Sequence, residues 1–88
     1  MRIECDPKKA AGNLKKHGVA FEEAASCLFD PLALARPDPD AKDELRLILL
    51  GMSQAGRLLT VCYTLRDDET IRLISARRAT RKEVKSYA

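Results

Sequence analysis

The chain has 88 residues, 45% apolar and 33% charged, a balance typical of soluble globular proteins and too short for two domains, so residues 1–88 are read as one. A domain this small buries only about 60–65% of its unfolded-chain surface, which argues against a large cavity for an organic cofactor. Net charge is +3 but unevenly spread: through Glu44 there are seven basic and nine acidic side chains, and from Leu45 onward nine basic, seven of them arginine, and four acidic.

Taken in chain order, Arg2 to Cys5 alternates polar and apolar residues and reads as a short strand. Asp6 is a good N-cap and Pro7 a good first helical residue. The helix they open runs to His17 and stops at Gly18, with Ala10, Ala11 and Leu14 as its apolar stripe and a lysine ridge at Lys8, Lys9, Lys15 and Lys16. His17 lies at the edge of that stripe. A second helix is expected from Phe21 to Phe29, poorly capped because Ala20 stands where a serine would serve. Asp30-Pro31 ends it, Leu32 to Ala35 reads as an edge strand, and Arg36-Pro37-Asp38-Pro39-Asp40 reads as a loop for want of backbone donors.

Three strand-forming stretches follow: Glu44 to Met52, Arg57 to Arg66 and Thr70 to Arg78. The hairpin-sized separators, residues 53–56 and 67–69, predict an antiparallel meander. Thr80 and Glu83 form a capping box for a last short helix ending at Tyr87, with Val84 and Tyr87 on its buried side. The fold class is therefore α+β: an antiparallel sheet with helices packed on one face and the other face available.

Several chemistries are disfavoured. Cys5, Cys27 and Cys62 are odd in number and widely spaced, which supports neither a disulfide framework nor a zinc ribbon. One histidine and unclustered carboxylates predict no metal, and isolated glycines predict no phosphate loop, so no cofactor is expected. The longest apolar run, Leu47 to Leu50, falls far short of the roughly 18 residues of a bilayer span. The N-terminus, with Arg2 and Glu4, lacks the apolar stretch of a secretory signal. A cytoplasmic protein without membrane contact is expected.

The arginines carry the functional signal, because guanidinium matches phosphate with a planar fork of donors. Strict alternation in the last strand puts Ile71, Leu73, Ser75 and Arg77 on one face and Arg72, Ile74, Ala76 and Arg78 on the other. A sheet bearing Arg46, Arg66, Arg72 and either Arg77 or Arg78 would gather guanidinium groups around one phosphate and stabilise a phosphoryl transition state. Acid–base work is open to His17, Glu83, Tyr63 or Tyr87. With no tryptophan and few aromatics, base stacking on a single strand is disfavoured. No helix-turn-helix is evident. The same arginines would also suit a non-catalytic module that docks an acidic protein.

The residues Asp6-Pro7-Lys8-Lys9-Ala10, Asn13 to Val19, Phe21-Glu22-Glu23-Ala24, Asp30-Pro31, Arg46 with Gly51, Gly56 to Leu59, Tyr63 to Arg66, and Arg72 to Ala79 with Glu83 and Tyr87 closely resemble the BrnT toxin family over nearly the whole chain. The resemblance implies a RelE-like fold and a ribonuclease toxin of a type II toxin–antitoxin pair. It also implies neutralisation by a BrnA-like antitoxin of ribbon-helix-helix type, through which alone operator DNA is contacted. On that basis Arg66 and Arg77 are expected to bind phosphate in the transition state, with His17 and Glu83 handling protons. Arg46, Arg72, Arg78 and Lys16 are expected as supporting RNA contacts. Two departures from the family pattern stand out: Cys5 replaces a tryptophan, removing a large packing group, and Ala20 replaces a serine.

Overall fold

The computed structural model describes residues 1–41 and 45–87. Its elements are β1 (Arg2–Glu4), α1 (Pro7–His17), α2 (Phe21–Cys27), β2 (Leu34–Pro37), β3 (Arg46–Met52), β4 (Leu58–Leu65), β5 (Thr70–Arg78) and α3 (Arg81–Ser86). Glu44, the expected start of the third strand, lies outside the described residues. The five strands form one sheet in the order β1-β5-β4-β3-β2. From β2 to β5 the pairing is the expected antiparallel meander. β1 corrects the picture, because it lies parallel to β5 with Arg2 opposite Thr70 and Glu4 opposite Arg72, so the sheet is mixed. Turn signals specify only hairpins, and no local signal announces a strand that pairs across most of the chain.

The capping chemistry follows the sequence closely. Asp6 accepts from the Lys8 N–H, and Gly18, at φ 70°, closes α1 with its own N–H donating to the Leu14 carbonyl. A left-handed residue here costs glycine nothing. Ala20 gives α2 no side-chain cap, and the helix ends at Cys27, two residues earlier than expected. The edge strand is displaced in the other direction: it includes Arg36 and Pro37 and leaves out Leu32 and Ala33. Proline is tolerated there because an edge strand faces no partner on one side.

One side of the sheet carries Leu49, Leu59, Val61, Tyr63, Leu73 and Ala76, all buried, with Val19 and with Phe21, Ala24 and Cys27 of α2 packed on them. Gly51 lets α2 approach, since a Cβ there would stand 3.0 Å from the Cys27 carbonyl oxygen and 2.9 Å from a Leu49 methyl. An ion pair fastens the layers at the hairpin. Glu23 accepts from Arg57 Nε at 2.9 Å and from the Ser53 hydroxyl at 2.7 Å, while Arg57 also donates to the Gly18 carbonyl at 3.2 Å. Arg57 holds the Glu23 carboxyl down at about 2.

The buried residue of α1 is Asn13, not Leu14, which is 53% exposed. Its carboxamide donates to the carbonyls of Val19 and Ala76, both at 2.9 Å, and accepts from the Ala76 N–H at 3.0 Å. The inward stripe is thus Ala10, Asn13 and His17, a helical spacing that an apolar-only count overlooks. Near Ala76 the strand alternation breaks, for Cys62 faces Ser75 while Tyr63 faces Leu73, leaving Ile74 as the extra residue of a β-bulge.

Removing the Asn13 carboxamide strands three buried backbone groups, each costing about 1–3 kcal/mol when unpaired, so Asn13→Ala is expected to destabilise by about 2–4 kcal/mol in urea unfolding. Asn13→Asp will not restore it, because a carboxylate cannot donate to the two carbonyls. A loss under about 1 kcal/mol in both variants would contradict this role.

Candidate functional site

The bulge decides which arginines share a face. With Ile74 extra, Ala76 joins Leu73 on the helix-covered side, and Arg77 swings to the opposite side with Arg72 and Ser75. This corrects the alternation expected from the sequence, in which Arg72 and Arg77 were apart. Arg78, paired opposite Leu59, goes to the helix side, where its charge helps hold Glu23 ionised.

The side left open by α1 and α2 has a row running across three strands: Arg46 on β3 pairs with Thr64 on β4, which pairs with Arg72 on β5. Arg66 follows two residues after Thr64, and these four residues line one cleft with Asp6, Lys9 and Ile74. Glu4, opposite Arg72, reaches Arg66 at 3.6 Å. Both partners are half exposed, so the pair is weak and easily exchanged for an incoming anion.

A second cleft on the same side lies between the sheet and α3, with Arg77 on one wall and Glu83 on the other. Arg77 donates to both Glu83 oxygens, at 2.8 and 3.1 Å. Glu83 also closes the capping box, accepting from the Thr80 N–H at 2.8 Å while the Thr80 hydroxyl accepts from Glu83 N–H. Arg77 above all, then the Thr80 backbone, holds the Glu83 carboxyl down at about 2. Val84, expected to be buried, is 52% exposed. The reason is that α3 flanks the open side and is held by polar ties. At its end the Tyr87 hydroxyl donates to Asp30 at 2.5 Å, and the same carboxylate accepts from the Met52 N–H.

The expected site residues therefore fall into groups. Arg46, Arg66 and Arg72 come together, as do Arg77 and Glu83. His17, half-buried at the end of α1, and Lys16, exposed beside it, line neither cleft. Tyr63 is in the core under the helices, where burial pushes its hydroxyl up. Lys9 and Thr64 were missed, since a lysine on a solvated ridge and a threonine in a strand carry no distinguishing local signal. The described residues contain no cluster of three metal-ligating side chains, and no helix among them is long and apolar enough to cross a membrane.

Together these features define a small α+β protein whose exposed sheet side presents paired arginine clefts. Comparison with known proteins agrees. The family model for the ribonuclease toxin BrnT of type II toxin–antitoxin systems matches residues 5–83. The crystal structure of the ribonuclease toxin BrnT of Brucella abortus matches with a TM-score of 0.72 and 26% identity, over 92% of this chain and 99% of that one. No curated protein matches. The chain belongs to the BrnT family of ribonuclease toxins, and its type II system implies an antitoxin as partner.

The Arg77–Glu83 pair has a spectroscopic signature. Its carboxyl is depressed in the folded state, so its stabilising contribution is present above the unfolded value and is lost as pH falls through about 2. A carbon-detected NMR titration should find Glu83 ionised to about pH 2, and Arg77→Ala should return it toward about 4.3. A wild-type Glu83 titrating in the ordinary range would contradict the pairing.

Proposed function

We propose that the chain is a metal-independent endoribonuclease that acts in the cytoplasm, cuts RNA to inhibit translation, and is neutralised by a BrnA-like ribbon-helix-helix antitoxin through which alone operator DNA is contacted. The convergence of Arg46, Arg66 and Arg72 around Thr64 on the open sheet side carries this reading. RNA supplies its own nucleophile in the 2′-hydroxyl, so cleavage needs a proton acceptor, a proton donor and charge stabilisation but no activated water. Guanidinium groups provide the last of these: Arg77 meets the transition-state phosphate beside Glu83 in the second cleft, and Arg66, with Arg46 and Arg72, holds a neighbouring phosphate of the same strand in the first.

Glu83 takes the proton-handling role because both of its oxygens bond Arg77, whereas Glu4 meets Arg66 only as a looser, half-exposed pair. With a carboxyl held at about 2 it is a poor base, but phosphate competing for Arg77 removes the main cause of that depression. Glu83 then gains basicity as substrate arrives. His17, Lys16 and Arg78 stand outside both clefts and have no part in the proposed chemistry.

Purified chain incubated with RNA in EDTA is expected to cleave it. Activity that vanishes with chelator and returns with a divalent ion would refute metal independence. Intact RNA beside a stable antitoxin complex would favour the docking module instead.

Arg77→Ala is expected to lower the rate roughly a hundred- to thousandfold, the cost of losing one preorganised donor to a developing oxyanion, and Arg66→Ala to weaken RNA binding. Arg77→Lys should rescue poorly, since a point charge does not reproduce the fork. Full activity in both alanine variants would overturn the assignment.

A further inference from the structure

The open side divides by character. Toward β1 it is arginine-rich, whereas toward β2 it is aliphatic: Leu34, Ala35, Ile48 and Leu50 floor the groove beneath α3, which measures about 490 Å³. Leu34 stands opposite Leu50 and is nevertheless 46% exposed. Among the described residues, the cations on this groove are Arg36, Arg77 and Lys82, against the single carboxylate of Glu83, which Arg77 already engages. No aromatic side chain among the described residues lines it, so they offer no platform on which a nucleobase would stack. An aliphatic floor with an unbalanced cationic rim suits a polypeptide with aliphatic side chains beside carboxylates.

We propose that this groove seats an amphipathic, acidic-flanked segment of the antitoxin, which places aliphatic side chains on Leu34, Ile48 and Leu50 and carboxylates toward Arg36 and Lys82. The assignment rests on the family's pairing with an antitoxin and adds where that partner is anchored. A segment seated here covers Arg77, so docking and inhibition coincide. Stable protein pairs bury more than about 1,000 Å² in total, so the groove is the apolar anchor of a contact that continues over the neighbouring arginines.

The test uses the full chain and the co-expressed antitoxin of its pair. Leu34→Asp and Lys82→Glu change exposed side chains with no part in the proposed chemistry, so RNA cleavage should stay within about twofold of wild type. Antitoxin affinity should fall about tenfold or more for Leu34→Asp. For Lys82→Glu the loss should be larger at low salt than at high salt. Unchanged affinity in both variants would overturn the surface while leaving the pairing intact. Lost cleavage with retained antitoxin binding in Leu34→Asp would overturn it in favour of an RNA subsite. A wild-type chain that cleaves RNA but binds no antitoxin would refute the pairing, and the surface with it.

Discussion

The carboxamide of Asn13 is the contact on which the arrangement of this molecule turns. β1 covers only the first residues of β5, leaving the Ala76 N–H and carbonyl on an edge without a strand partner. Asn13 supplies both the donor and the acceptor that a further peptide unit would have offered. Because Ala76 follows the bulge at Ile74, that pairing holds the shifted register, and the shifted register carries Arg77 to the open side. One buried amide thus links a helix, a strand and the sidedness of the arginines.

The distribution of carboxylates explains why that side stays basic. The acidic first half of the chain does not face the arginines of the second half evenly. Glu23 is committed to Arg57 at the hairpin and draws on Arg78 from the helix side. Asp30 is committed to the Met52 N–H and the Tyr87 hydroxyl, which keep its own carboxyl low. Among the described residues, the carboxylates ion-paired with arginine on the open side are the exposed Glu4, weakly with Arg66, and Glu83, strongly with Arg77. The two arginines assigned to phosphate therefore begin from different states, one loosely held and one clamped.

Much of this was legible in the residues. Helix starts at Asp6-Pro7 and Thr80, the stop at Gly18, and the bounds of β5 follow from capping and β-propensity, which are local effects. The convergence of Arg46, Arg66 and Arg72 was legible too, since simple alternation suffices for it. What escaped depends on distant partners. The bulge at Ile74 has no glycine to mark it, the buried polar Asn13 looks like a solvated helix residue, and β1 chooses β5 over an isolated edge for reasons of global packing. Pro37 in a strand escaped because the rule against proline relaxes where a strand has one neighbour.

The parallel seam between β1 and β5 joins residues 2–4 to residues 70–72. It also brings Asp6 and Lys9, just beyond β1, into the wall opposite Arg66 and Arg72. Closing so long a loop is a late and entropically costly event, paid only when the final strand is available to receive the first. A growing polypeptide that has not yet released β5 from the ribosome therefore has no arginine cleft. For a chain whose family attacks RNA, the weapon is not assembled before β5 has been made.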